Sequence, residues 1–333
     1  MASEQDNTLA RQKLLLELNE KLLKQKKSMD AQLEELTIEK EHVESEKKKI
    51  EEKNTKLWEQ SAAIHNEKER IDKLKQEVET RHREVMDSIS YAERIQNAIL
   101  PLQKEINAAL PQCFVYFQPK DIVSGDFYWF NNKDEKIFIA AVDCTGHGVP
   151  GAFMSMVGHI VLDEIVMQKG FTDPGNILNE LDNKVRLVLR QDNQENSTRD
   201  GMDICLCVIN KQTKSLEYAG ANRPLWIIGS DKQLSEIKAT KTAIGGLREE
   251  PVTFQTHTIN YNEGDNFYLF SDGYADQFSS NDKKLMSKRF KETLLSVQEK
   301  TMQEQGIYMK EFLTNWKGSM EQTDDVLVIG FRL

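Results

Sequence analysis

Every seventh residue from Leu15 to Ile99 is apolar: Leu15, Leu22, Met29, Leu36, Val43, Ile50, Leu57, Ile64, Ile71, Val78, Val85, Ala92 and Ile99. These thirteen consecutive hits fall in a segment with 19 Lys/Arg and 22 Asp/Glu among its first 100 residues and no glycine. Such a row in so polar a segment predicts a coiled-coil helix. The row three residues on is mixed, running Leu18, Gln25, Gln32, Glu39, Glu46, Lys53, Gln60, Glu67, Leu74, Arg81 and Ser88. Polar seam positions lower stability and set register or oligomer state. No second long heptad segment exists to fold back on this helix, so a parallel homodimer is expected. A single long helix studded with charge pairs is the alternative.

After Pro101 the period changes. Short β-branched and aromatic runs appear ("FVYFQP", "DFYWF", "KIFIAAVD", "MDICLCVIN", "SLEYAG", "PLWIIG", "VTFQTHTI", "NFYLFSD", "DVLVIGFRL"), separated by Gly, Asn and Asp. Helical stretches are predicted near 149–168, 174–191, 283–298 and 305–318. They fall in consecutive pairs between strands, and "INKQTKSLEY" reads as a hairpin. That grouping predicts an α+β fold on antiparallel sheets, not an alternating βαβ fold. The expected organisation is a heptad helix over 1–90, a linker helix over 91–110 and a globular domain over 111–333.

Charge and cysteines narrow the function. A net charge of -10 argues against a nucleic-acid binder that works through a basic surface. Cys113, Cys144, Cys205 and Cys207 lack CxxC metal spacing, and Cys205 and Cys207 would share one strand face as small core residues. The start "MASEQDNTLARQ" has no apolar signal-peptide core, and no apolar run approaches membrane-spanning length on this reading. A reducing, cytoplasmic setting is expected.

Aspartates mark the strand ends. Asp126 opens "DFYWF", Asp143 closes "FIAAVD", Asp272 closes "LFSD", and Asp324 and Asp325 open "DDVLVIG". In an antiparallel sheet the start of one strand lies beside the end of its neighbour, so these carboxylates are expected on one edge. Gathered there they raise one another's pKa unless cations sit among them, and an all-oxygen set suits Mg²⁺ or Mn²⁺. A lone "SDG" is ordinary turn chemistry; the argument rests on the set.

"VSGDFYWF", "AAVDCTGHGVPGA", "LFSDGYAD" and "TDDVLVIG", in this order, resemble the metal-dependent protein phosphatase (PPM, phosphatase 2C-like) family. The closer resemblance is to its bacterial branch of sporulation and sigma-factor-regulating serine phosphatases. "AERIQNAILP" is similar to the helix that leads into that domain in sensor-linked members. The resemblance implies a two-layer antiparallel β-sandwich flanked by helices, with two Mn²⁺ or Mg²⁺ ions at one end. It places Asp126, Asp143, Asp272 and Asp324 as the metal-holding, catalytic carboxylates, the Cys144 backbone carbonyl as a further metal ligand and Asp325 in support. Cys144 departs from the family, which has glycine there, and a carbonyl ligand tolerates the change. His147 sits four residues after Asp143, not the two of eukaryotic relatives, so their leaving-group role does not transfer and the ring braces the turn. Asp200 and Asp203 fall where some members hold a third metal; loop turn chemistry is the other reading.

The implied reaction is hydrolysis of phosphoserine or phosphothreonine on a regulatory partner, such as an anti-sigma-factor antagonist. Two ions about 4 Å apart would activate a water near neutral pH. The glycines of "TGHGVPG" then let backbone lie close to the metals. The unbroken heptad row and the helix after Asp143 suggest that the coil regulates the site by phase. Two competing readings are a coiled-coil adaptor with a phosphoprotein-binding pseudophosphatase domain, and a phosphatase for small molecules.

Overall fold

A computed structural model describes residues 2–191, 198–248 and 251–333, with backbone alone for 2–6. It divides into two compact units, Met1–Arg83 and Glu84–Leu333. The first lies within α1 (Ala2–Ile99), a helix without a glycine or proline to break it. Its heptad row from Leu15 to Val85 is exposed, each residue by more than half. Charge pairs one turn apart, such as Glu77–Arg81 and Glu46–Lys49, decorate the surface.

The second unit is the α+β fold that the strand pattern predicts. One five-stranded sheet runs in the order β1 (Cys113–Gln118), β11 (Val326–Arg332), β10 (Asn266–Phe270), β6 (Leu225–Ile228), β7 (Leu234–Ile237). The other runs β2 (Phe127–Lys133), β3 (Lys136–Cys144), β4 (Gly201–Asn210), β5 (Ser215–Ala221), β9 (His257–Asn260), with β8 (Ile244–Gly245) paired to β4. All these strand pairs are antiparallel, including the β4–β5 hairpin read from "INKQTKSLEY".

Strand alternation assembles the layers. Ile137, Ile139 and Ala141 of β3 meet Phe267, Leu269, Leu327 and Ile329 of the opposite sheet in the inner core. Phe138, Ala140 and Val142 point the other way, under α3 (Gly148–Asp163) and α4 (Pro174–Val188). Tyr268, Phe270, Val326 and Val328 face α5 (Gly273–Asp276), α6 (Met286–Val297) and α7 (Met302–Lys317). The central strands are therefore apolar on both faces, which is why they read as nearly continuous apolar runs.

Element ends differ from expectation in instructive places. Residues 91–110 hold two helical pieces, the end of α1 and α2 (Gln103–Ala109), because Pro101 bars continuation. The stretch predicted over 149–168 is α3 followed by a π-helical turn, Glu164–Gln168. α7 starts at Met302, earlier than 305, on a capping box in which Thr301 and Glu304 bond each other's backbone. The "TMQE" pattern carried that signal. Against the expectation that no apolar run approaches membrane-spanning length, Gly148–Gln168, 21 residues long, contains an 18-residue window of mean hydropathy 1.4, enough to cross a membrane by length and composition. Here half of that window is buried in the domain, with Leu162, Ile165 and Val166 in the outer core.

Candidate active site

Antiparallel pairing brings the strand-end aspartates together. The start of β2 meets the end of β3 (Phe127 opposite Val142), and the end of β10 meets the start of β11 (Phe270 opposite Val328). Asp126, Asp143, Asp272 and Asp324 thus gather at one end of the sandwich, and β4 adds Asp203 directly opposite Asp143. Asp143, Cys144, Asp203, Asp272 and Asp324 line a cleft of about 260 Å³.

Arg223, just after β5, stands among them. One guanidinium nitrogen donates to Asp143 Oδ2 at 2.7 Å and Asp272 Oδ2 at 2.7 Å, and lies 3.2 Å from Asp203 Oδ2. Among the described residues no three His, Cys, Asp or Glu side chains already surround one metal-sized point; the carboxylates close on the arginine. Asn222, at a left-handed φ of 57°, turns the chain there and its amide holds Asp203 Oδ1.

Burial pushes the Asp143 carboxyl up to about 7, against the pull of Arg223 and with the push of Asp272 and Asp203. Asp126 is raised well above the ordinary range by burial first, then by Asp143. It is 3% exposed and its Oδ2 has no hydrogen-bond partner. Asp203 and Asp324 are raised too, chiefly by burial. Crowded, half-desolvated carboxylates with an orphaned oxygen fit hard divalent ions, whose charge would reverse these shifts.

The supporting contacts are specific. Asp325 accepts from Lys120 N and Gly125 N, both at 2.7 Å, tying the loop before Asp126 to β11. A Cβ on Gly125 would meet Gly146 O at 2.3 Å, and one on Gly151 would meet the same oxygen at 2.2 Å. Backbone from the β1–β2 loop, the turn after β3 and the first turn of α3 therefore close on one another beside the Cys144 carbonyl, 3.3 Å from that Gly125 position. Gln96, 4% exposed, clasps this assembly: it accepts from Ser124 N, and its amide donates to Ser124 O and Ser155 Oγ of α3.

His147 stays out of the carboxylate cluster, its Nδ1 2.6 Å from Asp121 Oδ2 and its Nε2 3.2 Å from Lys120 Nζ. Asp200 accepts from Thr145 Oγ1 at the turn, whereas Asp203 joins the cluster. Arg223 belongs to no strand-end acidic motif, and Gln96 stands inside "AERIQNAILP" with no local signal for the contacts it makes. Burial pushes Cys113 up to about 12 and Cys144 and Cys205 well above the ordinary thiol value, so these thiols stay protonated.

Similar proteins share the family and the fold. A sequence profile described as stage II sporulation protein E (SpoIIE) matches residues 133–333, more than half of the chain. The phosphoserine phosphatase RsbP of Bacillus subtilis (strain 168) is 26% identical over 168 residues, 50% of this chain and 40% of RsbP. The chain thus aligns with less than half of that relative. The SiaA-PP2C domain of Pseudomonas aeruginosa superposes with a TM-score of 0.68 and 31% identity, over 76% of this chain and 98% of that one. The PP2C phosphatase domain with a regulatory fragment of SpoIIE from Bacillus subtilis gives a TM-score of 0.55 at 19% identity, over 67% of this chain and 63% of that one, a likeness of fold. With its strand-end aspartates, its antiparallel sandwich and this profile match, the chain belongs to the SpoIIE family and carries its PP2C-like domain.

Proposed function

We propose that the chain is a metal-dependent serine/threonine phosphatase acting on a phosphorylated regulatory protein, with two Mn²⁺ or Mg²⁺ ions held by Asp126, Asp143, Asp272, Asp324 and the Cys144 carbonyl. The observation that carries this is the buried convergence of those carboxylates around an orphaned Asp126 oxygen. When bound, the ions supply Lewis-acid chemistry, activating a water for attack on phosphorus and neutralising the phosphoryl oxygens. Asp325 and the crossing glycines hold the Asp126 loop against β11. Arg223 lines the cleft, and where ions took its carboxylates its planar fork would be free to hold a phosphoryl oxygen.

RsbP is named a phosphoserine phosphatase, which supports a phosphoserine substrate here; an anti-sigma-factor antagonist is the proposed type of partner. The exposed heptad row supports a parallel homodimer through the coil. Gln96, on the last turn of α1 and bonded to both the Asp126 loop and α3, supports regulation of the site from the coil. The free, buried thiols suit a reducing cytoplasm.

The test is turnover of a phosphoserine peptide, a phosphothreonine peptide and small phosphoesters by the purified chain with Mn²⁺ and with chelator. Metal-dependent hydrolysis that favours the peptides is expected. Preference for a small phosphoester would establish a small-molecule phosphatase, and binding of the peptides without turnover would establish a pseudophosphatase adaptor. Either result overturns the proposal.

A further inference from the structure

A groove of about 800 Å³ lies along β1, and none of the clustered aspartates lines it. β1 is a sheet edge, paired with β11 on one side only. The register fixes which of its backbone groups are free. Arg332 N donates to Gln112 O, so those two form a hydrogen-bonded pair, and such pairs recur at every second residue of an antiparallel ladder. Phe114, Tyr116 and Gln118 therefore bond to β11, while Cys113, Val115 and Phe117 turn N–H and C=O outward. Among the described residues no group bonds to them there.

Helices wall this edge. α7 sits so close over β1 that a Cβ on Gly306 would meet Phe114 at 2.9 Å. Its residues Gln303, Ile307, Lys310, Thr314 and Lys317 recur at alternating spacings of four and three, one helical face, and line the groove. α2 contributes Gln103 and Asn107. Ile307 is 59% exposed. Among the described residues, Lys310 and Lys317 are the only charged side chains on the lining, and neither has an ion-pair partner. On a chain of net charge -10, a groove walled by lysine without a carboxylate is a local reversal.

We propose that this edge docks an extended acidic segment of a partner protein, which adds as a further strand beside β1 with its carboxylates toward Lys310 and Lys317. Main-chain bonds to Val115 and Phe117 supply the register, and alternate side chains supply the selectivity. Seven helical residues separate the lysines by about 10 Å. Same-face residues of a strand recur every 6.7 Å or so. Flexible lysine stems bridge the difference, so Asp or Glu at alternate positions matches the wall. A second copy fits poorly: pairing two β1 edges antiparallel would set both copies' lysines side by side.

The probe is a fluorescein-labelled octapeptide of alternating Glu and Val, titrated into the full chain by anisotropy, with an alternating Lys–Val peptide as control. The Glu–Val peptide should bind saturably and slow hydrogen exchange at the Val115 and Phe117 amides. Val115→Pro deletes an outward N–H without a ladder bond, and K310E/K317E reverses the wall. Each should weaken binding about tenfold or more while aryl phosphate turnover stays unchanged. The surface K310E/K317E variant decides the matter even if Val115→Pro fails to fold. No binding by the Glu–Val peptide, equal binding by the Lys–Val peptide, or wild-type affinity in K310E/K317E overturns the proposal. So does a concentration-dependent dimer, seen by light scattering, that a folded Val115→Pro abolishes.

Discussion

Arg223 neutralises carboxylates that would otherwise repel one another, so two opposite effects are expected of Arg223→Ala. The metal-free protein should lose about 1–3 kcal/mol in urea unfolding with chelator, since buried carboxylate oxygens near Asp143 lose their hydrogen-bond donor. Calorimetric Mn²⁺ affinity should rise, because no guanidinium competes for Asp143 and Asp272. Unchanged affinity would show that the arginine and the ions do not share ligands. Asp272→Asn should cut turnover by roughly 100-fold or more, the upper scale for changes around a metal site, with the fold intact by circular dichroism. The raised Asp143 carboxyl sets a pH dependence. Its folded pKa, about 7, exceeds the ordinary 3.8, so the folded state holds the proton more tightly. That contribution is full below the ordinary value and is lost as pH rises toward 7. In chelator, the melting temperature of wild type relative to Asp143→Asn should therefore fall between those limits. A difference that is flat in pH would deny the shift. The strand-end aspartates were legible because each stands where an apolar run starts or stops. Arg223 and Gln96 were not, since what matters is the distant group each meets: Asp143 lies 80 residues from Arg223 and Ser155 lies 59 from Gln96.

At the scale of elements, the strands could be read in advance because β-branched runs are bounded by Gly, Asn and Asp, and the hairpin after β4 because its turn is local. Which strands pair across the sandwich was hidden. β1 and β11 lie at opposite ends of the domain, and no local pattern records their register. The proposed coil of α1 offers the sharpest element-scale test. Removing seven residues between Leu22 and Val78 restores the apolar row and should leave turnover and dimer mass near wild type. Removing four turns the downstream row by about 40° net and puts charged residues in the seam, so turnover should shift clearly. Equal behaviour of both deletions would make the coil a tether. Gln96→Leu keeps the length of α1 but deletes three buried bonds to Ser124 and Ser155. It should change turnover more than it changes the melting temperature; the reverse would reduce Gln96 to a packing residue.

For the whole molecule, charge and chemistry favour a metal-loaded acidic enzyme. Rigorous chelation should abolish aryl phosphate hydrolysis, and Mn²⁺ or Mg²⁺ should restore it and raise the melting temperature together, since ions that bind only the folded state stabilise it by mass action. Restored activity without a thermal shift would place the metal's role outside the folded site.

The buried thiols have a practical consequence. Cys113 lies on β1, Cys144 at the end of β3, and Cys205 and Cys207 in the middle of β4, all free and buried. Together they form a built-in clock for opening of the sandwich. An alkylating reagent cannot reach them until strands separate, so the number of adducts on intact protein, followed by mass spectrometry, counts opening events strand by strand. If β1, β3 and β4 open as one cooperative unit, molecules will carry either no label or all four; a ladder of intermediate masses would reveal strands that open separately.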